Sequence, residues 1–355
     1  MRTNTNRLVL IGNGFDLAHG LKTSYKDFIN WYFCKIAQAE FRKENIYQDS
    51  LLELRQNFTG SIYFWDKELV SFGEILQVFN TNKRHLSIAF PSQFFERIIS
   101  SLIANKWVDI ERYFFHYLKT YFSNPNVYKK EKEVAKLNKE FNFLITLLSK
   151  YIQEVNTEIR KVPKLKFPKS EYNIVRAFEK LDASEVRFLN FNYTETLLEK
   201  GYANKNDIIH IHGRAADIEN NPIIFGYGDE TDPVYQSIED SGENIYLEHI
   251  KSFGYFQTGN YHELISYIDS APFETFIIGH SCGLSDRVLL SEIFEHPNCV
   301  NIEIFYHKRE DGYDNFKEIT QEISRHFRPQ NKNLMRRKVG DKNLKNIIPQ
   351  NSQKH

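Results

Sequence analysis

The chain is poor in cysteine, has no net charge and has no long apolar run. Its three cysteines, Cys34, Cys282 and Cys299, form no C-x-x-C pair in 355 residues. This excludes a disulfide framework or a cysteine zinc site and predicts a reducing, cytoplasmic location. The 46 basic and 46 acidic residues cancel, so no overall positive field indicates nucleic acid. No apolar run approaches the ~18 residues of a membrane span, so no membrane partner is expected.

The end of the chain departs from this charge balance. The last 25 residues carry seven Lys or Arg against one acid and contain no aromatic residue. Such a composition buries little apolar surface, so residues 329–355 are predicted to form a basic, disordered tail. Contact with nucleic acid, if there is any, is expected only through this tail.

Short apolar runs predict a parallel β-sheet. Several of them are continuous rather than alternating, which is typical of strands covered on both faces. The stretch between the first two runs has helical periodicity instead. The predicted fold class is therefore α/β, with a Rossmann-like, mostly parallel sheet and a large helical insertion after the first strand. The predicted strands are residues 7–11, 185–191, 208–212, 222–226, 274–279 and 301–307.

The same patterns predict how the chain is divided. Apolar residues at helical spacing predict helices over 94–122 and 134–155. The second has a strict a/d seam, which favours a packing face within the domain, with a dimer zipper as the alternative. The predicted segments are 1–30 for the first strand and glycine turn, 31–167 for the insertion, 168–328 for the rest of the α/β core, and 329–355 for the tail.

Polar and glycine residues follow four of the predicted strands. Open parallel sheets bind ligands beyond the carboxyl ends of their strands. The four strand ends carry residues 12–16, 192–194, 212–213 and 280–286, which supply glycine, amide, imidazole and hydroxyl groups. The sequence therefore predicts a ligand site at this edge of the sheet.

The first of these segments begins Gly12-Asn13-Gly14, directly after a strand. A glycine turn before a helix is typical of phosphate binding, because it brings backbone N–H groups close to the ligand. The full G-x-G-x-x-G fingerprint is absent, since Leu17 stands where its third glycine would be. A tight strand-to-helix turn without a ligand is the alternative.

Two further side chains are candidates for chemistry. His212 precedes Gly213 at a strand end, which favours a functional imidazole over the alternative of a buried core histidine. His210, two residues earlier, is interpreted as a core residue. Asn192 is expected to orient a water or a ribose hydroxyl, or else to cap the helix that follows.

The stretch GHSCG, residues 279–283, raises a different possibility. It fits the G-x-S-x-G nucleophile elbow and follows a strand. A serine hydrolase would then use Ser281, Asp311 or Asp314, and His326, in that chain order. This hypothesis leaves the glycine turn and His212 without a role, so it is the alternative.

Five segments carry a resemblance to a known family. The segments LVLIGNGFDLAHGLKTSYKDF, KWVDIERYF, FLNFNYTETL, IIHIHG and FIIGHSCGLSD occur in this order. Together they closely resemble the AbiH-type bacteriophage abortive infection proteins, over roughly residues 7–310. The resemblance implies that the protein kills or arrests a phage-infected cell.

That family is in turn distantly similar to the sirtuin-like NAD-binding fold. In this comparison Gly12-Asn13-Gly14 matches the phosphate turn, Asn192 the asparagine of T-Q-N-I-D, and His212-Gly213 the catalytic H-G. Gly279, Ser281 and Asp286 match the late ribose-contacting loop. The T-Q-N-I-D aspartate is replaced by Thr194 and the zinc cysteines are missing, so a zinc-dependent deacylase is not expected and no metal is implied.

The resemblance implies an effector that hydrolyses NAD at the N-glycosidic bond, with His212 as general base and Asn192 positioning the water. The expected cofactor-binding residues are Gly12, Asn13, Gly14, Phe15, Asp16, Gly213, Gly279, His280, Ser281 and Asp286. The expected partners are NAD or a related nucleotide, a phage-derived or host protein as trigger, and further copies of the chain as a homo-oligomer. A non-catalytic nucleotide-sensing module is the second alternative, beside the serine hydrolase.

Overall fold

The computed structural model describes residues 5–57, 69–125, 129–167 and 172–351. Its strands are β1 Asn6–Ile11, β2 Ile46–Gln48, β3 Glu53–Gln56, β4 Leu86–Ala89, β5 Val186–Asn190, β6 Ile208–His210, β7 Phe273–Ile278 and β8 Cys299–Phe305. Its α-helices are α1 Asn13–Ala18, α2 Tyr25–Trp31, α3 Gln38–Glu44, α4 Phe72–Thr81, α5 Gln93–Asn105, α6 Ile110–Ser123, α7 Lys130–Glu158, α8 Tyr172–Phe178, α9 Thr196–Glu199, α10 Pro233–Asp240, α11 Lys251–Gly254, α12 Asn260–Ser270, α13 Arg287–Glu295, α14 Phe316–His326 and α15 Lys332–Lys338.

These elements form two compact units. The first, here called the sheet unit, comprises Met1–Thr23, Ile152–Asp240 and His249–His355. The second, here called the helical unit, comprises Ser24–Tyr151 and Ser241–Glu248. The helical unit thus begins and ends earlier than the insertion predicted over 31–167, and it recruits a short segment from later in the chain. None of the helices in the described ranges is long and apolar enough to cross a membrane.

The sheet unit contains five parallel strands in the order β6-β5-β1-β7-β8. The central strand is β1, in which Leu10 is paired with Leu189 of β5 and with Ile277 of β7. Alternate residues of β1 join two different apolar clusters, one on each face of the sheet. Burial on both faces explains why the strand sequences are continuously apolar. The predicted Rossmann-like α/β fold with a parallel sheet is confirmed.

One of the six predicted strands does not form. Residues 222–226 run beside the end of β6, where the Ile224 amide donates to the His212 carbonyl at 2.9 Å, but they do not join the sheet. Pro222 has no amide hydrogen to offer to a strand ladder. The strand predicted over 208–212 is also shorter, because the Gly213 amide turns back to the His210 carbonyl at 3.1 Å.

The helical unit confirms the helical periodicity and adds a sheet that was not predicted. The stretch 94–122 forms two helices, α5 and α6, and the Asp109 side chain caps α6 by accepting from the Arg112 amide at 2.9 Å. The strands β2, β3 and β4 pair in antiparallel fashion. They are only three or four residues long and partly exposed, so they carry no apolar run that a sequence reading detects.

The a/d seam of α7 is a packing face. All seven of its apolar positions are buried within the chain, which favours packing within the chain over a dimer zipper; six belong to the helical unit and Val155 to the sheet unit. These positions are Val134, Leu137, Phe141, Leu144, Leu148, Tyr151 and Val155.

The predicted disorder of the tail is wrong for its described part, residues 329–351. This part forms α15, whose Leu334 and Met335 pack with Val339 against the apolar core of the sheet unit. The Lys338 ammonium donates to two backbone carbonyls at 2.8 and 2.9 Å. The few apolar residues of the tail lie close enough in sequence to share one face of a helix, which the average composition conceals. The final four residues lie outside the described part of the chain.

Candidate functional site

The carboxyl ends of the parallel strands meet at one edge of the sheet unit. There β1 lies between β5 and β7, and the order in which the chain adds strands reverses between β1 and β7. At such a reversal the loops that follow the two strands diverge, and the crevice between them is where open α/β sheets bind ligands. The loops after β1, β5, β6 and β7 carry the predicted site residues, so the topology brings these residues to one edge.

The glycine turn after β1 packs directly on the loop after β7. The Gly14 amide donates to the Gly279 carbonyl at 2.8 Å, and the Gly12 amide donates to the Ile278 carbonyl at 3.1 Å. A Cβ on Gly14 would lie 2.8 Å from the Gly279 Cα, and one on Gly279, whose φ is +68°, would overlap the Phe15 amide nitrogen. These glycines are needed for close backbone packing. The predicted pyrophosphate cradle is not available at Gly12 and Gly14, because both amides already have acceptors.

His212 is buried in the turn that follows β6. The next residue, Gly213, has φ +85°, and a Cβ there would overlap the Pro222 carbonyl oxygen, so the turn requires glycine. The imidazole meets the Phe191 ring edge-on with the ring centroids 5.1 Å apart. On another side it is nearly parallel to the Tyr255 ring, at 6.4 Å. Aromatic packing therefore fixes the orientation of the imidazole.

Asp286, in the 3-10 turn after β7, is the centre of a buried charged cluster. Lys251 Nζ lies 2.7 Å from Asp286 Oδ1, and His212 Nε2 lies 3.1 Å from the same oxygen without the alignment of a hydrogen bond. His280 Nε2 lies 3.6 Å from Oδ2. We call these four residues the Asp286 cluster; all are buried. The predicted contact between Asp286 and a ribose is not supported, because the carboxylate faces these internal partners.

Burial and charge determine the protonation state of this cluster. Burial, and then the Lys251 ammonium, lower the pKa of His212 to about 4 against an opposing effect of Asp286. Burial alone would raise the pKa of Asp286, but Lys251 and His212 outweigh it and hold that pKa well below its usual range. At neutral pH the cluster thus contains an ionised Asp286, a charged Lys251 and a neutral His212. A neutral imidazole has a lone pair that can accept a proton.

Asn192 and Asp16 lie beside the glycine turn. The Asn192 Nδ2 group donates to the Gly12 carbonyl at 3.1 Å, which ties the loop after β5 to the turn after β1. Asp16 Oδ2 accepts from the Thr194 hydroxyl at 2.6 Å. Asp16 Oδ1 is buried and has no hydrogen-bond partner among the described residues. Burial raises the pKa of Asp16 to about 6, although the Thr194 hydroxyl lowers it.

The comparison with protein families covers all of this site. The family model described as bacteriophage abortive infection AbiH matches residues 8–308. The chain belongs to the AbiH family. A role in bacteriophage abortive infection follows from that membership. No curated protein matches the chain at a significant level.

The remaining predicted site residues of this AbiH chain do not all face the strand ends. Phe15 lies in an aromatic core, with its ring centroid 4.7 Å from that of His19 and 5.2 Å from that of Tyr202. It is a packing residue rather than a ligand contact. Asn13 and Ser281 are exposed, so their side chains are accessible to a ligand.

Two alternatives considered for this AbiH sequence do not agree with the geometry. The helix α9 begins after Glu195 with no side-chain cap, so Asn192 is not its cap. The hydrolase triad is not assembled, because His326 Nε2 lies 2.8 Å from the Cys282 carbonyl oxygen. The candidate acids Asp311 and Asp314 pair elsewhere, with an arginine at 3.5 Å and a lysine at 2.6 Å. Gly279 and Cys282 have left-handed backbone in the loop after β7, with φ +68° and +55°, whereas a nucleophile elbow places the serine on the strained turn.

Sequence reasoning missed Lys251, although it makes the shortest contact to Asp286. It begins α11, a helix of four residues, which is too short to show an apolar period. In the sequence a lone lysine resembles any exposed lysine, since lysine is rarely buried unless it is paired. The only available signal is that Lys251 and Tyr255 are four residues apart, the spacing of one helix face.

The donor atoms at this edge are also informative about metals. Within the described ranges, no group of three or more His, Cys, Asp or Glu side chains is placed to hold a metal ion. In the Asp286 cluster the lysine ammonium already occupies the carboxylate face that a cation would need.

Proposed function

We propose that this AbiH protein acts in abortive infection by hydrolysing NAD at the N-glycosidic bond to nicotinamide. The observation that carries the proposal is the imidazole of His212 held 3.1 Å from the Asp286 carboxylate at the strand-order reversal of the sheet. Rossmann-ordered sheets bind nucleotides at this position. The motif-level likeness to the sirtuin-like fold agrees with the proposal and stays a prediction.

The proposed chemistry needs a base but no strong nucleophile. The bond between C1′ of the ribose and N1 of nicotinamide breaks, and its electron pair leaves with the ring, which becomes neutral. A water oxygen bonds to C1′, and His212 takes the proton that the water loses and later releases it to solvent. Since Nε2 lies 3.1 Å from the negatively charged Asp286 carboxylate, the proton of the neutral ring is favoured on Nε2, and Nδ1 is the nitrogen that would take the proton of the water. The nicotinamide ring is cationic in NAD and leaves as a neutral molecule, so no strong nucleophile is needed. The main contribution of the protein is therefore to position the substrate and the water.

The structure changes which groups are proposed to hold the substrate. The Gly12 and Gly14 amides are engaged within the protein, so the pyrophosphate contact passes in this proposal to the exposed side chains of Asn13 and Ser281. Asn192 keeps its Nδ2 group on the Gly12 carbonyl, which leaves its Oδ1 to orient the attacking water.

The test compares His212→Gln with His210→Gln. The two histidines are similarly buried, and burial lowers the pKa of each to about 4. His210 bonds to Asn190 and lies outside the Asp286 cluster, which makes it a matched control. Loss of a general base costs about 10²–10⁴ in rate. We therefore expect His212→Gln to lose nicotinamide release and protection against phage by that order, and His210→Gln to retain both if it folds.

NAD and free nicotinamide are measured with purified protein and in phage-infected cells, so that a trigger is present in one of the two assays. If wild-type cells resist phage while their NAD stays constant, NAD hydrolysis is rejected and the nucleotide-sensing alternative is preferred. If His212→Gln folds, protects and releases nicotinamide like the wild type, the assignment of the base is wrong. Labelling of Ser281 by a fluorophosphonate probe would instead support the serine hydrolase.

A further inference from the structure

Lys251 shares a single carboxylate oxygen with His212. Its ammonium lies 2.7 Å from Asp286 Oδ1, and His212 Nε2 lies 3.1 Å from that oxygen on another side. Lys251 and Asp286 are both less than 10% exposed, so solvent screens their interaction little. Because both groups contact the same oxygen, the ion pair with Lys251 also determines where the Asp286 carboxylate lies relative to the imidazole.

From this geometry we infer that Lys251 is a positioning residue for His212. It holds the Asp286 carboxylate ionised and 3.1 Å from His212 Nε2, so that the negative charge favours the proton on Nε2 and leaves Nδ1 ready to act as a base. The role concerns the proposed reaction and therefore rests on the proposed function, but its physical content can be measured without NAD.

The other groups around the imidazole do not take over this role. The charged and titratable groups that face His212 are Asp286, Lys251 and His280, from the 3-10 turn, from α11 and from the loop after β7. The rings of Tyr193 and Tyr255 stack beside it and carry no charge at neutral pH. His280 Nδ1 accepts from the Cys282 amide at 3.0 Å, so its ring is already oriented by the backbone. Lys251 is left as the cation that balances Asp286.

The experiment follows the titration and tautomer of His212 by ¹⁵N NMR in the full chain labelled at histidine, with His212→Gln used to assign the signal. In the wild type we expect a neutral ring at pH 7, protonated at Nε2. In Lys251→Met the unbalanced Asp286 carboxylate should raise the pKa of His212 by about one unit or more. Lys251→Arg, which keeps the charge, should leave it within a few tenths of a unit.

An unchanged His212 titration in folded Lys251→Met would overturn the inference. That variant leaves a buried carboxylate without its partner and can fail to fold, so a second variant is needed. Lys251→Met/Asp286→Asn removes both charges, and we expect it to fold with His212 in a mixture of both neutral tautomers. A wild-type tautomer in this double variant would also overturn the inference.

The two proposals fail separately. If the His212 titrations are as expected but the wild-type protein never releases nicotinamide, the role of Lys251 stands and NAD hydrolysis is rejected. The rate of nicotinamide release is also measured against pH. If its fall at acidic pH is the same in wild type and in Lys251→Met, NAD hydrolysis is retained as the function and Lys251 has no role in it.

Discussion

Gly14 and Gly279 are packed backbone against backbone, with the Gly14 amide donating to the Gly279 carbonyl at 2.8 Å. The contact joins the turn after the central strand to the turn after its neighbour. A motif that is typical of phosphate binding is here used to hold two loops of the protein together.

This packing predicts that Gly14→Ala and Gly279→Ala lower stability. The added methyl group would meet backbone atoms that cannot move independently of the sheet, and at Gly279 the positive φ adds strain. Overpacking of this kind costs about 1–3 kcal/mol or more. The free energy of unfolding from urea titration measures the loss. The matched control is Gly259→Ala, where a Cβ meets nothing within 4 Å; an equal loss there would show that the crowding argument is wrong.

A second prediction concerns the end of the chain. Truncation after Arg328 removes α15 and the bridge between Val339 and Ile302 of β8, and it exposes apolar surface of the core. We expect the melting temperature to fall by several degrees. Truncation after Asn351 removes only residues outside the described ranges and serves as the control. Equal melting temperatures for the two truncated chains would mean that α15 contributes nothing to stability.

A third prediction is loss of stability in mild acid. Burial lowers the pKa of each of four histidines, which are His19, His210, His212 and His326, from 6.5 to about 4. Between these values the unfolded chain binds protons that the folded chain does not, so the free energy of unfolding falls as the pH drops from about 6.5 to about 4. The loss is on the order of 1–3 kcal/mol per histidine.

Asp16 acts in the opposite direction. Burial raises its pKa from 3.8 to about 6, so the folded chain takes up this proton first, and acid below pH 6 relieves the cost of burying the charge. One such group offsets only part of the effect of the histidines. Urea unfolding from pH 7 to pH 4 measures the slope, and Asp16→Asn should make it steeper. A stability that is constant or rises below pH 6.5 in the wild type would contradict this account.

The fold was largely predictable because its signals are local. The apolar runs of β1 and β7 and the seam of α7 each reflect burial that extends over several turns or strand residues. The short strands β2 to β4 and the helix α15 were not predicted. Each has only a few apolar residues on one side, too few to change the mean hydropathy of a sequence window. The run 222–226 shows the reverse error. Its Ile224 amide donates to the His212 carbonyl, but Pro222 has no amide hydrogen with which to extend the pairing into a strand.

The site was predictable in its position but only partly in its contacts. Strand ends identified His212 and Asp286, because parallel topology alone brings such residues to one edge. The contact between Asp286 and Lys251 depends on a segment that forms no strand, and no local pattern places that segment beside β7. The Gly12 and Gly14 amides donate to the Ile278 and Gly279 carbonyls. These acceptors are distant in sequence, so the sequence alone was compatible with a ligand on both amides.

The central position of β1 has a consequence for synthesis of the protein. Its partners β5 and β7 lie far along the chain, beyond residues 24–151 of the helical unit, so β1 leaves the ribosome long before either can pair with it. Closing loops of this length is slow, because long-range contacts require the loop entropy to be lost first. Until then the apolar edges of β1 are open to other chains. Newly made protein is therefore most exposed to aggregation and to chaperones through its first strand, and translation has to pass β7 before that strand is covered on both sides.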